Sequence, residues 1–290
     1  MNTDNKNTKS SIFVGKKASL KKVSDAKPVL IEKKATKTSR GILSKSWYKI
    51  GSATVLAKGN TEGNREPFAE VIGGRIAYFM SEGTSVLYNL APASDYPELK
   101  VFDFDHVSVC EKYMSGDSQQ FSKYLDALHG KELQRNAYLD WVKKQPMSFR
   151  QRLCQMLFID AVIGNQDRHL NNWDIEIDTG NILPFINFGA GCLGWSKLST
   201  LSYKTPEVIS PDKAKPFGNN HLQQIRHLRL ILKDDSKIRV KDPEAAVKVA
   251  LEKSEDVLSL DPVYAEKVAH YLTNRAMVFK EKAQDILEVV

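Results

Sequence analysis

Gly164-Asn165-Gln166-Asp167-Arg168-His169-Leu170-Asn171-Asn172 is the most polar tight segment of the chain, and it lies between two apolar patterns. Before it, Leu153, Met156, Leu157, Phe158 and Ile163 recur at helical spacing and predict a buried helix ending at Gly164, with Ser148 and Gln151 as a capping box at its start. After it, residues 173–177 and 182–188 read as strands around the turn Asp178-Thr179-Gly180-Asn181. A polar loop pinned between a buried helix and a hairpin can hold several side chains rigidly near one point. Two of these have chemistry to offer: the Asp167 carboxylate can accept a developing proton, and the Asn172 amide oxygen can ligate a hard cation without adding charge.

Upstream, residues 46–50 and 53–57 read as a hairpin through Gly51-Ser52, ended by Lys58. A polar loop follows, then Pro67 at a helix start with Phe68, Val71, Ile72, Ile76, Phe79 and Met80 at helical spacing and Glu70 in the first turns. Residues 84–90 and 106–114 read as two further strands. Downstream, an irregular stretch beyond Trp195 leads to helical patterns near 221–232, 243–252 and 262–287, and no internal repeat is present.

Composition bounds the function. At 290 residues, 42% hydrophobic and 27% charged, the chain reads as globular, with apolar runs too short for a membrane span and no secretory leader pattern at its Lys-rich start. Cys110, Cys154 and Cys192 lack metal-ligand spacing and predict small core residues in a reducing cytoplasm. The net charge of +7 is unevenly placed: residues 1–45 carry eleven Lys and one Arg against Asp4, Asp25 and Glu32, a net of +9, leaving −2 for the remainder. Nucleic-acid binding by the folded part is therefore not expected, whereas residues 1–40 predict a flexible basic tail suited to an acidic partner.

Asp167 and Asn172 are five apart, the spacing at which kinase catalytic loops present an Asp to the acceptor hydroxyl and an Asn to magnesium. With the Asn187-Phe188-Gly189 triplet after the hairpin, the segment resembles the HipA-like Ser/Thr protein kinases of bacteria and phages, whose loop reads Asn-x-Asp-Arg-His-x-x-Asn before a magnesium-binding Asp-x-Gly. Leu56-Ala57-Lys58-Gly59, Arg65-Glu66-Pro67-Phe68-Ala69-Glu70-Val71 and Ser108-Val109-Cys110-Glu111-Lys112-Tyr113 are similar to the family's nucleotide-lysine strand, following helix and hinge strand.

The resemblance implies an α+β bilobal fold, with a strand-rich lobe over 41–114 and a helical lobe over 115–290. It implies ATP and magnesium as cofactors, a protein substrate, and an antitoxin or regulatory protein as partner within a toxin–antitoxin or phage-encoded system. Lys58 would meet the nucleotide phosphates and pair with Glu70, with Glu66 the less favoured partner. Glu111, Lys112 and Tyr113 would offer backbone groups to adenine, and residues 41–46 occupy the place of a phosphate-covering loop. Asp167 would orient or deprotonate the hydroxyl, His169 would support the loop from within, and Asn172 and Asn187 would hold magnesium. Asn187 stands where the family has Asp, which removes a full negative charge facing the metal. Three readings stay open: a pseudokinase that binds nucleotide or partners, a kinase that coordinates magnesium differently, and a kinase carrying an inactivating substitution. The same loop pattern also fits a kinase for lipids or small molecules.

Overall fold

The computed structural model describes residues 27–32, 43–112, 118–129, 135–196, 214–232 and 236–290. Alternating burial along β2 (Lys45–Ile50), with Ser46, Tyr48 and Ile50 inward, sets one face of an antiparallel sheet. β3 (Ala53–Lys58) returns beside it through Gly51, whose φ of 58° suits a two-residue turn, in a register running from Ile50↔Ala53 to Lys45↔Lys58. β5 (His106–Glu111) pairs with β3, and β4 (Asn89–Pro92) pairs with β5. Part of the expected tail also belongs to the sheet. Val29–Glu32, around the tail's one apolar run, forms the edge strand β1 against β2, completing the order β1-β2-β3-β5-β4.

α1 (Glu66–Met80) crosses behind this sheet, with Pro67 in its first turn. It is buried on nearly every face because the sheet covers one side and α4 (Met147–Ile163) and α6 (Pro243–Glu252) cover the other. Two arginines fasten it to the C-terminal helices. Fully buried Arg65, at its N-cap, donates from Nε to Asp261 Oδ2 at 2.7 Å, and its backbone N–H donates to the Gly194 carbonyl at 2.6 Å. Arg75 donates to the Lys253 carbonyl at 2.5 Å and lies 3.3 Å from Asp256. The main apolar core accordingly runs without a break from Leu56 and Phe68 to Leu272 and Phe279, while a smaller cluster around Tyr48, Val55, Tyr96 and Val107 lies on the sheet's other face.

α4 begins after Pro146 with no side-chain cap, so the expected Ser148–Gln151 box is not what starts it; Gln151 donates instead to the Lys237 carbonyl at 3.3 Å. It ends where Gly164 takes φ 69°, and the glycine is also sterically required, since a Cβ there would lie 2.4 Å from the Tyr271 hydroxyl. The hairpin expected after the loop is reduced to β7 (Asp174–Glu176), which ladders with β6 (Ser118–Gln120). Residues 182–188 form no strand. Pro184 lacks an N–H for a ladder, and the flanking residues split their partners, Ile182 bridging to Ile175 and Phe185 to Ser85. That second bridge also explains why residues 84–88, expected as strand, run irregularly into β4.

Two helices without a sequence-based expectation, α2 (Phe121–His129) and α3 (Arg135–Lys143), precede α4. Three C-terminal helices follow the expected pattern, α5 (His221–Leu232), α6 capped by Asp242 and α8 (Pro262–Lys282) capped by Asp261, and a short α7 (Glu255–Leu258), without a sequence-based expectation, lies between the last two. α8 stops before Leu287, and Leu287–Val289 forms β9, parallel to β8 (Ile238–Val240). No helix among the described residues is long and apolar enough to cross a membrane.

At the start of α5, His221 is 2% exposed, and neither ring nitrogen has a hydrogen-bond partner. Burial first, and then the Arg275 cation, hold its imidazole well below the ordinary 6.5. The folded state therefore refuses a proton that the unfolded state accepts, so this contribution to stability is present above about pH 6.5 and is lost as pH falls. Partly buried His169, depressed chiefly by burial, adds in the same sense. Urea denaturation of the wild type should show stability falling between pH 7 and 5.5 by up to about 1.4 kcal/mol per pH unit for each such proton. His221→Phe should flatten that slope, and an unchanged slope would refute the assignment.

Candidate active site

The loop after α4 is built around an ion pair with no exposure on either side. Arg168 binds Asp160 of α4 with both arms of its fork, Nε to Oδ2 at 2.7 Å and Nη2 to Oδ1 at 2.9 Å. Its remaining nitrogen, Nη1, donates to the carbonyls of Asn172, at 2.7 Å, and Ile186. One guanidinium thus ties together the helix, the end of the loop and the residue before Asn187. Asn165 adds a second tie: its Nδ2 donates to Asp160 Oδ1 at 2.8 Å and to the Asn187 carbonyl at 3.2 Å, while its Oδ1 accepts the Asp167 N–H at 3.2 Å.

Asp167 projects from this frame with its side chain 24% exposed. Its Oδ1 lies 2.7 Å from Lys215 Nζ, and its Oδ2 accepts from Asn172 Nδ2 at 3.3 Å. His169 stands 3.5 Å from the same carboxylate and accepts the Asn171 N–H at Nδ1, 3.1 Å away. Its side chain is 35% exposed, so it braces the loop from the partly open side through that bond, while Arg168 supports the loop from the buried interior. Burial lowers the His169 pKa; Asp167 opposes this, while the cations Lys215, Arg168 and Lys45 reinforce it. The ring is therefore neutral at neutral pH.

Lys58 lies across from this loop, 3% exposed at the end of β3. Its Nζ donates to Glu70 Oε1 at 2.7 Å, to Asn187 Oδ1 at 2.8 Å and to the Tyr88 hydroxyl at 3.1 Å. The second oxygen of Glu70 accepts the Phe188 N–H at 2.9 Å, so the ammonium and the Asn187-Phe188 backbone are held by one carboxylate. Glu66 is not the partner; it accepts from the Thr61 hydroxyl at 2.6 Å, and burial raises its pKa. Asn187 has φ 61°, a left-handed conformation that Asn tolerates better than most residues.

The structure thus brings Lys58, Glu70 and Asn187 into direct contact, joins Asn187 to Asp167 through Asn165, and places Asn172 and His169 against Asp167. Glu111 pairs with Val55, and the Lys112 N–H donates to the Thr54 carbonyl at 2.8 Å. The Lys112 N–H is therefore engaged within the sheet, and by ladder alternation Glu111's peptide groups turn to the opposite side. Tyr113 and the lobe boundary at Met114 lie outside the described residues. Of residues 41–46, the last two belong to β2, and the Ser44 carbonyl accepts the Gly59 N–H at 2.9 Å.

The oxygens of Asp167, Asn172 and Asn187 are hard donors that fit magnesium, but only one of them carries charge, and no group of three His, Cys, Asp or Glu able to hold a metal exists among the described residues. Cys192, behind Asn187-Phe188, is buried, and burial pushes its thiol pKa up.

No protein-family model matches the chain, and no curated protein matches its sequence. Among solved structures, the Helicobacter pylori proinflammatory kinase CtkA is similar to it with TM-score 0.53 and 14% identity, over 84% of this chain and 92% of that one. The chain has a protein-kinase fold. HipA of Shewanella oneidensis MR-1, solved with HipB and operator DNA, is similar with TM-score 0.47 and 10% identity, over 94% of this chain and 77% of its own. Within the kinase fold, sequence reasoning assigned no role to Arg168, Asp160, Asn165, Tyr88 or Lys215. A charged residue, Asp160, inside the otherwise apolar end of α4 was an available signal for the first two. Lys215 carried none.

Removing one partner of the Asp160–Arg168 pair strands a buried charge. Arg168→Met and Asp160→Asn should each cost about 3–5 kcal/mol in denaturant unfolding. The double variant should cost clearly less than the sum; additive losses would show that the two groups act separately.

Proposed function

We propose that the chain is an ATP-dependent Ser/Thr protein kinase of HipA-like type, transferring the γ-phosphoryl group to a protein hydroxyl. One observation carries this reading: the Lys58–Glu70 pair, the Asn187-Phe188 backbone and the Asp167 loop are fastened to one another by hydrogen bonds of 2.7–3.2 Å. A phosphate-binding ammonium and a hydroxyl-orienting carboxylate are thereby set in one frame, and phosphoryl transfer depends on such positioning more than on covalent chemistry by the protein.

In this mechanism Lys58 stabilises the non-transferred phosphates, and Glu70 fixes its direction. Asp167 orients the acceptor hydroxyl and takes its proton as the oxygen bonds to the γ-phosphorus and the bond to the leaving ADP oxygen breaks. Asn172, Asn187 and Asp167 would hold magnesium, whose charge, when bound, offsets that of the phosphates. Neutral His169 accepts the Asn171 N–H and keeps the loop's turn closed. The partners fitting this reading are a protein substrate and an antitoxin or regulatory protein, met in the cytoplasm, where free Cys110, Cys154 and Cys192 persist. The Lys-rich tail is suited to an acidic surface.

A second reading, a nucleotide-binding pseudokinase serving as an interaction module, is favoured by the uncharged amide that Lys58 meets at Asn187. Transfer from labelled ATP to protein should separate the two. Asp167→Ala should lower transfer by about 10²-fold or more, and Asn187→Asp should raise it. Transfer by neither the wild type nor Asn187→Asp would end the enzyme reading; ATP-induced thermal stabilisation in that case would support the pseudokinase.

A further inference from the structure

Lys215 reaches Asp167 from a segment stapled to the large lobe. Two residues on, Phe217 is 1% exposed and stacks on Tyr138, with ring centroids 4.9 Å apart. The N–H groups of Phe217 and Gly218 both donate to Oε1 of fully buried Gln224, at 3.2 and 3.4 Å. The lysine's backbone is therefore anchored, while its side chain, 43% exposed, lies along the open side of the site. An ion pair this accessible is screened by water and exchanges partners at little cost.

The charge around the site is unusual. Glu70 is committed to Lys58 and the Phe188 N–H, position 187 is an amide, and Asp167 is the one carboxylate among the three oxygen donors whose chemistry fits magnesium. Its ion-pair partner is Lys215, whereas Lys58 is already the partner of Glu70. The site thus offers a metal ion a single anionic ligand, and that ligand is already shared with an ammonium. A triphosphate carries more negative charge than one carboxylate and presents several acceptor oxygens to the same ammonium.

We propose that Lys215 is a phosphate-binding residue of this cleft. Its Nζ exchanges Asp167 for the terminal phosphoryl group of a nucleoside triphosphate, supplying positive charge that Asn187 is poorly suited to recruit as a metal ion. The exchange also frees Asp167 Oδ1 to accept the substrate hydroxyl. This inference rests on the kinase reading above, and nucleotide affinity tests it without requiring turnover.

Calorimetric titration of the full chain with ATP and with ADP, in magnesium and in EDTA, provides the readout. The wild type should prefer ATP. Lys215→Met and Lys215→Gln should each weaken ATP binding by about tenfold and ADP binding by less than about twofold, and Lys215→Arg should keep the preference. An unchanged ATP-to-ADP ratio in the Met and Gln variants would overturn the proposal, as would tighter ATP binding, which would mark Lys215 as a blocking latch. If the wild type binds neither nucleotide, the kinase reading falls and this inference falls with it; binding with an unaltered ratio removes the inference alone.

Discussion

The geometry of the site depends on a buried ion pair held by several hydrogen bonds. Placing Asp160 and Arg168 in the core carries a large desolvation cost, and such a pair persists when its lone pairs and protons find partners. Here most do: Asp160 takes both arms of the fork and the Asn165 amide, and the remaining guanidinium nitrogen is shared between two carbonyls. The value of the arrangement is positional. A hydrophobic replacement would pack, but it could not hold residues 172 and 186 at fixed distances from the same helix, and the loop between them would lose its shape.

The second determinant is the position of α1. It presents Glu70 to Lys58 and to the Phe188 N–H, and it does so with almost no freedom, because Gly73 and Gly74 let the neighbouring backbone approach closely. A Cβ on Gly73 would fall 2.7 Å from Phe188 Cβ, and one on Gly74 2.9 Å from the Val86 carbonyl oxygen. The small-lobe helix and the Asn187-Phe188 turn are consequently one packed unit, and the ammonium of Lys58 inherits its position from both.

Much of this was legible in the sequence because it rests on local chemistry. Hydrophobic period gave α1, α4 and the C-terminal helices, Gly51 gave the hairpin, and the Asp167–Asn172 spacing, with Lys58 and Glu70 added by the family resemblance, gave most of the candidate site residues. What escaped was decided by distant partners. Val29–Glu32 is a strand only because β2 offers an edge, whereas 182–188 has strand-forming residues but Pro184 and two competing bridges. Arg168 stood inside the motif, yet a guanidinium in a polar loop shows nothing of the aspartate eight residues earlier in α4 that neutralises it. Lys215 lies in an irregular stretch, and it is the stacking of Phe217 on Tyr138, far apart in the chain, that delivers it.

Arg65 and Arg75 clamp α1 to the C-terminal helices, and this bears on how such a molecule can be controlled. Swinging the helix outward to separate Glu70 from Lys58 would strand a fully buried guanidinium and open a core shared by both lobes. A rearrangement on that scale approaches unfolding in cost and makes a poor reversible switch. Control is more economically exerted at the entrance, by whatever competes for the groups lining it, with the interior wiring left permanently assembled.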